Sequence, residues 1–149
     1  MEKEPRGHRS SKDPQENLDA QRGEKMKLKE IVDIIGGRVL SNHADLNLEI
    51  AFCGASDLMS DVLAYVKPNS LLLTGLVNPQ VLRTSEMAEI AAIIFVRGKT
   101  PGEDAIALAE ELNIPLIASP YGMYEMCGRL YEAGLPPVME VDKILRIAD

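Results

Sequence analysis

At 149 residues the chain has the length of a single domain. Hydrophobic residues make up 46% and charged residues 26%, a balance that excludes wholesale disorder and fibrous repeats. With no Trp, two Phe and four Tyr, the core must be aliphatic, and aromatic platforms for stacking nucleic-acid bases are scarce.

The net charge of −7 is unevenly spread. Residues 1–25 carry six basic and six acidic groups, so residues 26–149, with 10 basic and 17 acidic groups, hold all of it. Such a surface repels phosphate backbones, which argues against nucleic acid as a partner. Cys53 and Cys127 stand 74 positions apart with no Cys-x-x-Cys and no neighbouring His, so the sequence contains no metal site and no redox pair, and two packed thiols are expected. The longest strict apolar run, Ala91 to Val96, is far too short for a membrane span, and the first residues lack a signal-peptide core, so a cytoplasmic protein is expected.

In chain order, residues 1–25 offer only Met1, Leu18 and Ala20 as apolar groups and are expected to form a disordered tail. The folded domain is expected over 26–135. Leu28, Ile31, Ile34 and Ile35 fall at helical spacing, Gly36-Gly37 stops that helix, and a short strand follows near Arg38 to Leu40. From residue 49 the pattern alternates: strand Glu49 to Cys53, helix Asp57 to Val66, strand Ser70 to Thr74, helix Pro79 to Ala88. Strand Ala91 to Val96, helix Pro101 to Leu112, strand Pro115 to Ala118 and helix Pro120 to Ala133 complete it. Buried strands alternating with helices predict an α/β fold with a largely parallel sheet. After Pro136-Pro137, a C-terminal extension over 136–149 places Val141, Ile144, Leu145 and Ala148 at i, i+3, i+4, i+7, which predicts a short helix docked on something apolar.

Three strand-to-helix turns carry a capping residue before proline: Asn78-Pro79, Thr100-Pro101 and Ser119-Pro120. Thr100 and Glu103 also have capping-box spacing. Such caps need no ligand, yet in a parallel sheet these turns share the carboxyl edge, where ligands meet helix N-termini. The candidate ligand site is therefore Gly54, Ser56, Asp57, Thr74, Gly75, Asn78, Arg97, Lys99 and Thr100. Arg97-Gly98-Lys99-Thr100 is not a phosphate loop, because the glycine required five positions before Gly98 is Ile93. Arg97 and Lys99 are the paired basic groups that could meet a small anion. His8 and His43 lie outside any nucleophile constellation, so no catalytic residue, metal or cofactor is assigned.

The sequence resembles the DRTGG domain family over roughly residues 26–133. The likeness rests on Leu28 to Gly37, on Gly54-Ala55-Ser56-Asp57-Leu58-Met59-Ser60-Asp61-Val62-Leu63-Ala64, on Leu72-Leu73-Thr74-Gly75, and on Ala107 to Pro120. Thr74-Gly75 matches part of the name-giving motif, Leu76 replaces its second Gly, and no Asp-Arg pair occurs. The family is similar to the N-terminal domain of the phosphocarrier-protein kinase/phosphorylase. This resemblance implies a three-layer α/β/α sandwich acting as a non-catalytic regulatory or ligand-sensing module beside metabolic enzymes; the Arg97 and Lys99 pair makes a small anionic metabolite or nucleotide the ligand expected for it. Two other readings compete with it: a phosphotransferase using the Arg97 to Thr100 turn, and a purely structural adaptor. The resemblance also favours a homo-oligomer. Met123, Met126, Cys127 and Leu130 form one apolar stripe, and Tyr124, Tyr131 and Leu135 a second row suited to an interface between copies.

Overall fold

A computed structural model of the protein describes residues 25–138. The expected tail over 1–24 and the extension from residue 139 onward lie outside the described residues.

Five strands form the main sheet in the order β2-β7-β6-β5-β4: β2 (Arg38–Val39), β4 (Phe52–Ala55), β5 (Ser70–Thr74), β6 (Ala92–Phe95) and β7 (Leu116–Ala118). β4 to β7 are parallel neighbours in sequence order, and β2 closes the far edge antiparallel to β7, with Arg38 opposite Ala118. Sequential parallel neighbours require crossovers of one hand, which puts the intervening helices on one face. Those helices are α2 (Met59–Tyr65), α3 (Pro79–Ala88) and α4 (Glu103–Leu112). The opposite face is covered by α1 (Leu28–Ile34) and α5 (Met123–Glu132). The result is the expected α/β fold, with helices on both sides of a mostly parallel sheet.

Alternation along each strand divides the core into two layers. Leu71, Leu73, Ile94 and Ile117 face α1 and α5, where they meet Leu28, Ile31, Met126 and Leu130. Leu72, Ile93, Phe95 and Leu116 face the other helices, meeting Val62, Val81, Leu82, Ala105 and Ala109. Every residue of β5 is buried, as expected of a central strand covered on both faces.

Several element boundaries differ from the sequence reading for local reasons. The single strand expected from Glu49 to Cys53 is divided at Ala51. β3 (Glu49–Ile50) pairs antiparallel with β1 (Met26–Lys27) in a separate ribbon, and β4 joins the main sheet. The Thr100 capping box does not form: α4 begins two residues later with Gly102 as its N-cap. Ser119 is likewise no cap, since α5 starts after Gly122, and its hydroxyl donates to the Ile35 carbonyl at 2.8 Å. Asn78-Pro79 alone of the three turns opens a helix as read, with proline at the helix start.

α1 ends at Gly36, whose φ of +58° suits glycine. Gly37 is constrained by space instead, because a Cβ there would lie 2.7 Å from Ile117 Cγ2. Its N–H donates to Val32 at 2.8 Å, so the backbone cannot easily withdraw. Gly37→Ala is expected to cost about 1–2 kcal/mol by overpacking, read as a lower denaturation midpoint with the ligand-site turns unaffected.

Candidate functional site

The carboxyl ends of β4, β5 and β6 bring three turns together around the backbone of one residue, Gly75. Asp57, in the turn after β4, accepts through Oδ1 from the Gly75 N–H at 2.6 Å and from the Thr74 hydroxyl at 3.0 Å. From the turn after β6, the Lys99 ammonium donates to the Gly75 carbonyl. Thr74 Oγ1 in turn accepts from the Leu76 N–H at 3.1 Å. Thr74 and Gly75 are buried, Lys99 is half-buried, and Asp57 and Arg97 are exposed.

These contacts hold the Asp57 carboxyl below its ordinary range. The Gly75 N–H is the main cause, partly opposed by desolvation, and the Thr74 hydroxyl and the charges of Lys99 and Arg97 add to it. Asp57 therefore stays ionised, and the rim presents one fixed anion beside two cations. Such a set can take a ligand carrying both an anionic group and hydrogen-bond donors.

The turn after β6 has unusual backbone geometry. Arg97 sits at φ +55° and Gly98 at φ +69°, so a non-glycine residue occupies the left-handed region at an exposed position. Three N–H groups of this turn are already committed: Arg97 to Tyr121 O at 2.8 Å, Gly98 to Ser119 O at 2.6 Å, and Lys99 to Val96 O at 3.0 Å. They cannot cradle a phosphate as a phosphate loop does, so any anion here must be held by the Arg97 and Lys99 side chains.

Of the nine candidate residues, the structure joins Asp57, Thr74, Gly75 and Lys99 by hydrogen bonds, with Arg97 close enough to act on Asp57 electrostatically. Ser56 braces the same turn, its Oγ accepting from the Leu58 N–H at 3.0 Å. Asn78 and Thr100 are exposed on the neighbouring turns. Gly54 does not belong with them: it is buried within β4, where a Cβ would meet Val138 and Val66 at 3.2 Å. Its small size serves sheet packing rather than ligand access.

A second feature lies on the other face of the sheet. α5 and β4 flank an apolar groove of about 340 Å³ lined by Cys53, Ala55, Tyr124, Cys127, Leu130 and Tyr131, among others. Tyr124 is 94% and Tyr131 72% exposed, whereas Leu135 is only 3% exposed and belongs to the core. The expected exposed row is thus two tyrosines. Leu135 departs from it because its N–H caps Leu130 O at 3.1 Å, folding the chain back under α5. Sequence spacing gives no sign that Cys53 and Cys127 share this groove, because only the seating of α5 over β5, beside β4, brings them there. Burial pushes the Cys53 thiol up to about 12, with Cys127 adding to the shift, and burial also raises Cys127.

At the opposite edge, Ser41, His43, Asp45, Glu110 and Asn113 line a polar hollow of about 410 Å³. Among the described residues, no group of three His, Cys, Asp or Glu is placed to hold a metal ion, and no helix is long and apolar enough to cross a membrane.

Comparison with known proteins gives two positive findings. The structure is similar to the crystal structure of the CBS and DRTGG domains of the regulatory region of Clostridium perfringens pyrophosphatase, complexed with its activator, diadenosine tetraphosphate. The TM-score is 0.59 at 13% identity, and the match covers 89% of this chain and 61% of that one, so this chain spans about three-fifths of its neighbour's length. No curated protein matches the sequence. The DRTGG domain model matches residues 30–133, which takes in every strand of the main sheet and all five helices but for the first two residues of α1. On that match, the chain belongs to the DRTGG domain family.

Proposed function

We propose that this chain is a non-catalytic regulatory module that senses a small anionic metabolite or nucleotide at the carboxyl edge of β4 to β6. The observation that carries the reading is the convergence of Lys99 and Asp57 on the Gly75 backbone, with the charge of Arg97 acting on Asp57. Lys99 and Arg97 supply charge for a phosphate or carboxylate, and Asp57 can accept from the hydroxyl or amino groups of the same ligand. The kinship with a regulatory region that was crystallised with a dinucleotide activator supports the same ligand class. The output of such a module is the activity of an enzyme to which it is joined or docks.

Arg97 offers a direct test because its backbone conformation and its side chain pull in opposite directions. Arg97→Gly relieves the left-handed strain and is expected to raise stability by about 0.5–1 kcal/mol. The same change removes a cation from the rim and is expected to abolish ligand stabilisation. In a thermal-shift series with diadenosine tetraphosphate, ATP and AMP, a ligand at about 100 times its Kd stabilises the wild type by about 2.7 kcal/mol. The expected result is a shift in wild type, none in Arg97→Gly, and a higher unliganded midpoint in the variant. Equal shifts in both proteins would move the site elsewhere, and no shift with any of the three would remove support for nucleotide sensing.

A further inference from the structure

We infer that the apolar groove between α5 and β4 is the seat of residues 139–149 of the same chain. The described chain already runs to its rim. Pro137 pairs in parallel with Cys53, the Cys53 N–H donates to Pro136 O at 2.8 Å, and the Val138 N–H donates to Cys53 O at 3.2 Å. These residues extend the sheet along the outer edge of β4 and alternate as a strand does: Pro137 lines the groove, while Val138 lies against Gly54 and Val66 on the other face. The sequence that follows carries Val141, Ile144, Leu145 and Ala148 at the spacing of one apolar stripe.

Size and connectivity favour this occupant over a second copy. A stable interface between copies covers about 800 Å² on each partner. The groove, at about 340 Å³, has room for only a few aliphatic side chains. A segment tethered at the rim meets it at an effective concentration near the millimolar range and closes only a short loop. Tyr124 and Tyr131, seven residues apart on α5, both stand on the helix wall of the groove facing β4, and their large exposure falls when apolar side chains lie against them.

Cys127 reports on the cover, because it lines the groove and is partly open, whereas the more deeply buried Cys53 is held protonated by its pKa near 12. In the full-length protein near pH 8, alkylation of Cys127 by N-ethylmaleimide is read by mass spectrometry in wild type and in an Ile144→Ser, Leu145→Ser double variant. The expected result is reaction at least about tenfold slower in wild type, at a rate independent of protein concentration. A second measurement needs no variant: nuclear Overhauser effects from the Tyr131 ring to the methyl groups of Ile144 or Leu145 within one molecule. Equal alkylation rates together with absent Overhauser contacts would overturn the assignment. Protection that falls on dilution, with a doubled mass by light scattering, would overturn it in favour of a second copy.

Discussion

Phe95→Ala is expected to destabilise the fold by about 3–5 kcal/mol, the range for removing a large buried ring. Phe95 is fully buried and is the largest of the wholly buried side chains. It stands on β6 and packs in the layer formed with Leu72, Ile93, Leu116 and the helices α2 to α4. The cavity left behind cannot collapse easily, because β6 is paired on both sides, with β5 and β7. Domains of this size are stable by only about 5–15 kcal/mol, so the loss is a large share of the total. Urea unfolding checks it: the midpoint should drop while the denaturant slope stays constant. The effect also reaches function, since Arg97 follows two residues after Phe95 and the strand sets the position of that turn.

The second large effect is expected at Asp57. Asp57→Ala strands two donors, the buried Gly75 N–H and the Thr74 hydroxyl, at a cost of about 2–4 kcal/mol, since each orphaned group costs about 1–3 kcal/mol and water can reach the rim. Asp57→Asn retains an acceptor oxygen and is expected to lose less. The pH dependence has a definite sign. Because the folded state holds this carboxyl below its ordinary range, the ionised form stabilises the fold above the unfolded pKa of about 3.9, and the benefit is lost as pH falls through the folded value. The stability gap between wild type and Asp57→Ala should therefore be flat from neutral pH to about pH 5 and should narrow below about pH 4. A gap that narrows instead toward alkaline pH would mean that another group is responsible.

Much of this architecture is legible in the sequence. The strand Ser70 to Thr74 and the helix Pro79 to Ala88 match to the residue, because the Leu71-Leu72-Leu73 run lies between Asn69 and Gly75 and Asn78-Pro79 marks the helix start unambiguously. The turns after β6 and β7 read less well for one shared reason. In both, the capping side chain or the local N–H groups are committed to distant backbone, as when Ser119 reaches Ile35, so the helix begins two or three residues later. The division between β3 and β4 was hidden because the pairing of Met26 with Ile50 is non-local. At the candidate site, Asp57, Thr74, Gly75 and Lys99 were foreseeable as residues of one sheet edge. Their meeting at the Gly75 backbone depends on strand order, which periodicity does not encode. Gly54 lies apart from the hydrogen-bonded cluster because its turn-like sequence context conceals an interior strand position.

Amide chemical-shift mapping decides whether a small anion binds at the carboxyl edge of β4 to β6. Titrating the full-length protein with diadenosine tetraphosphate should move the resonances of Asp57, Thr74, Gly75 and Arg97 to Thr100, and the movement should disappear in the Lys99→Ala, Arg97→Ala double variant. Shifts confined to the hollow around Ser41, His43 and Glu110, or shifts unchanged in the double variant, would place the ligand away from this edge.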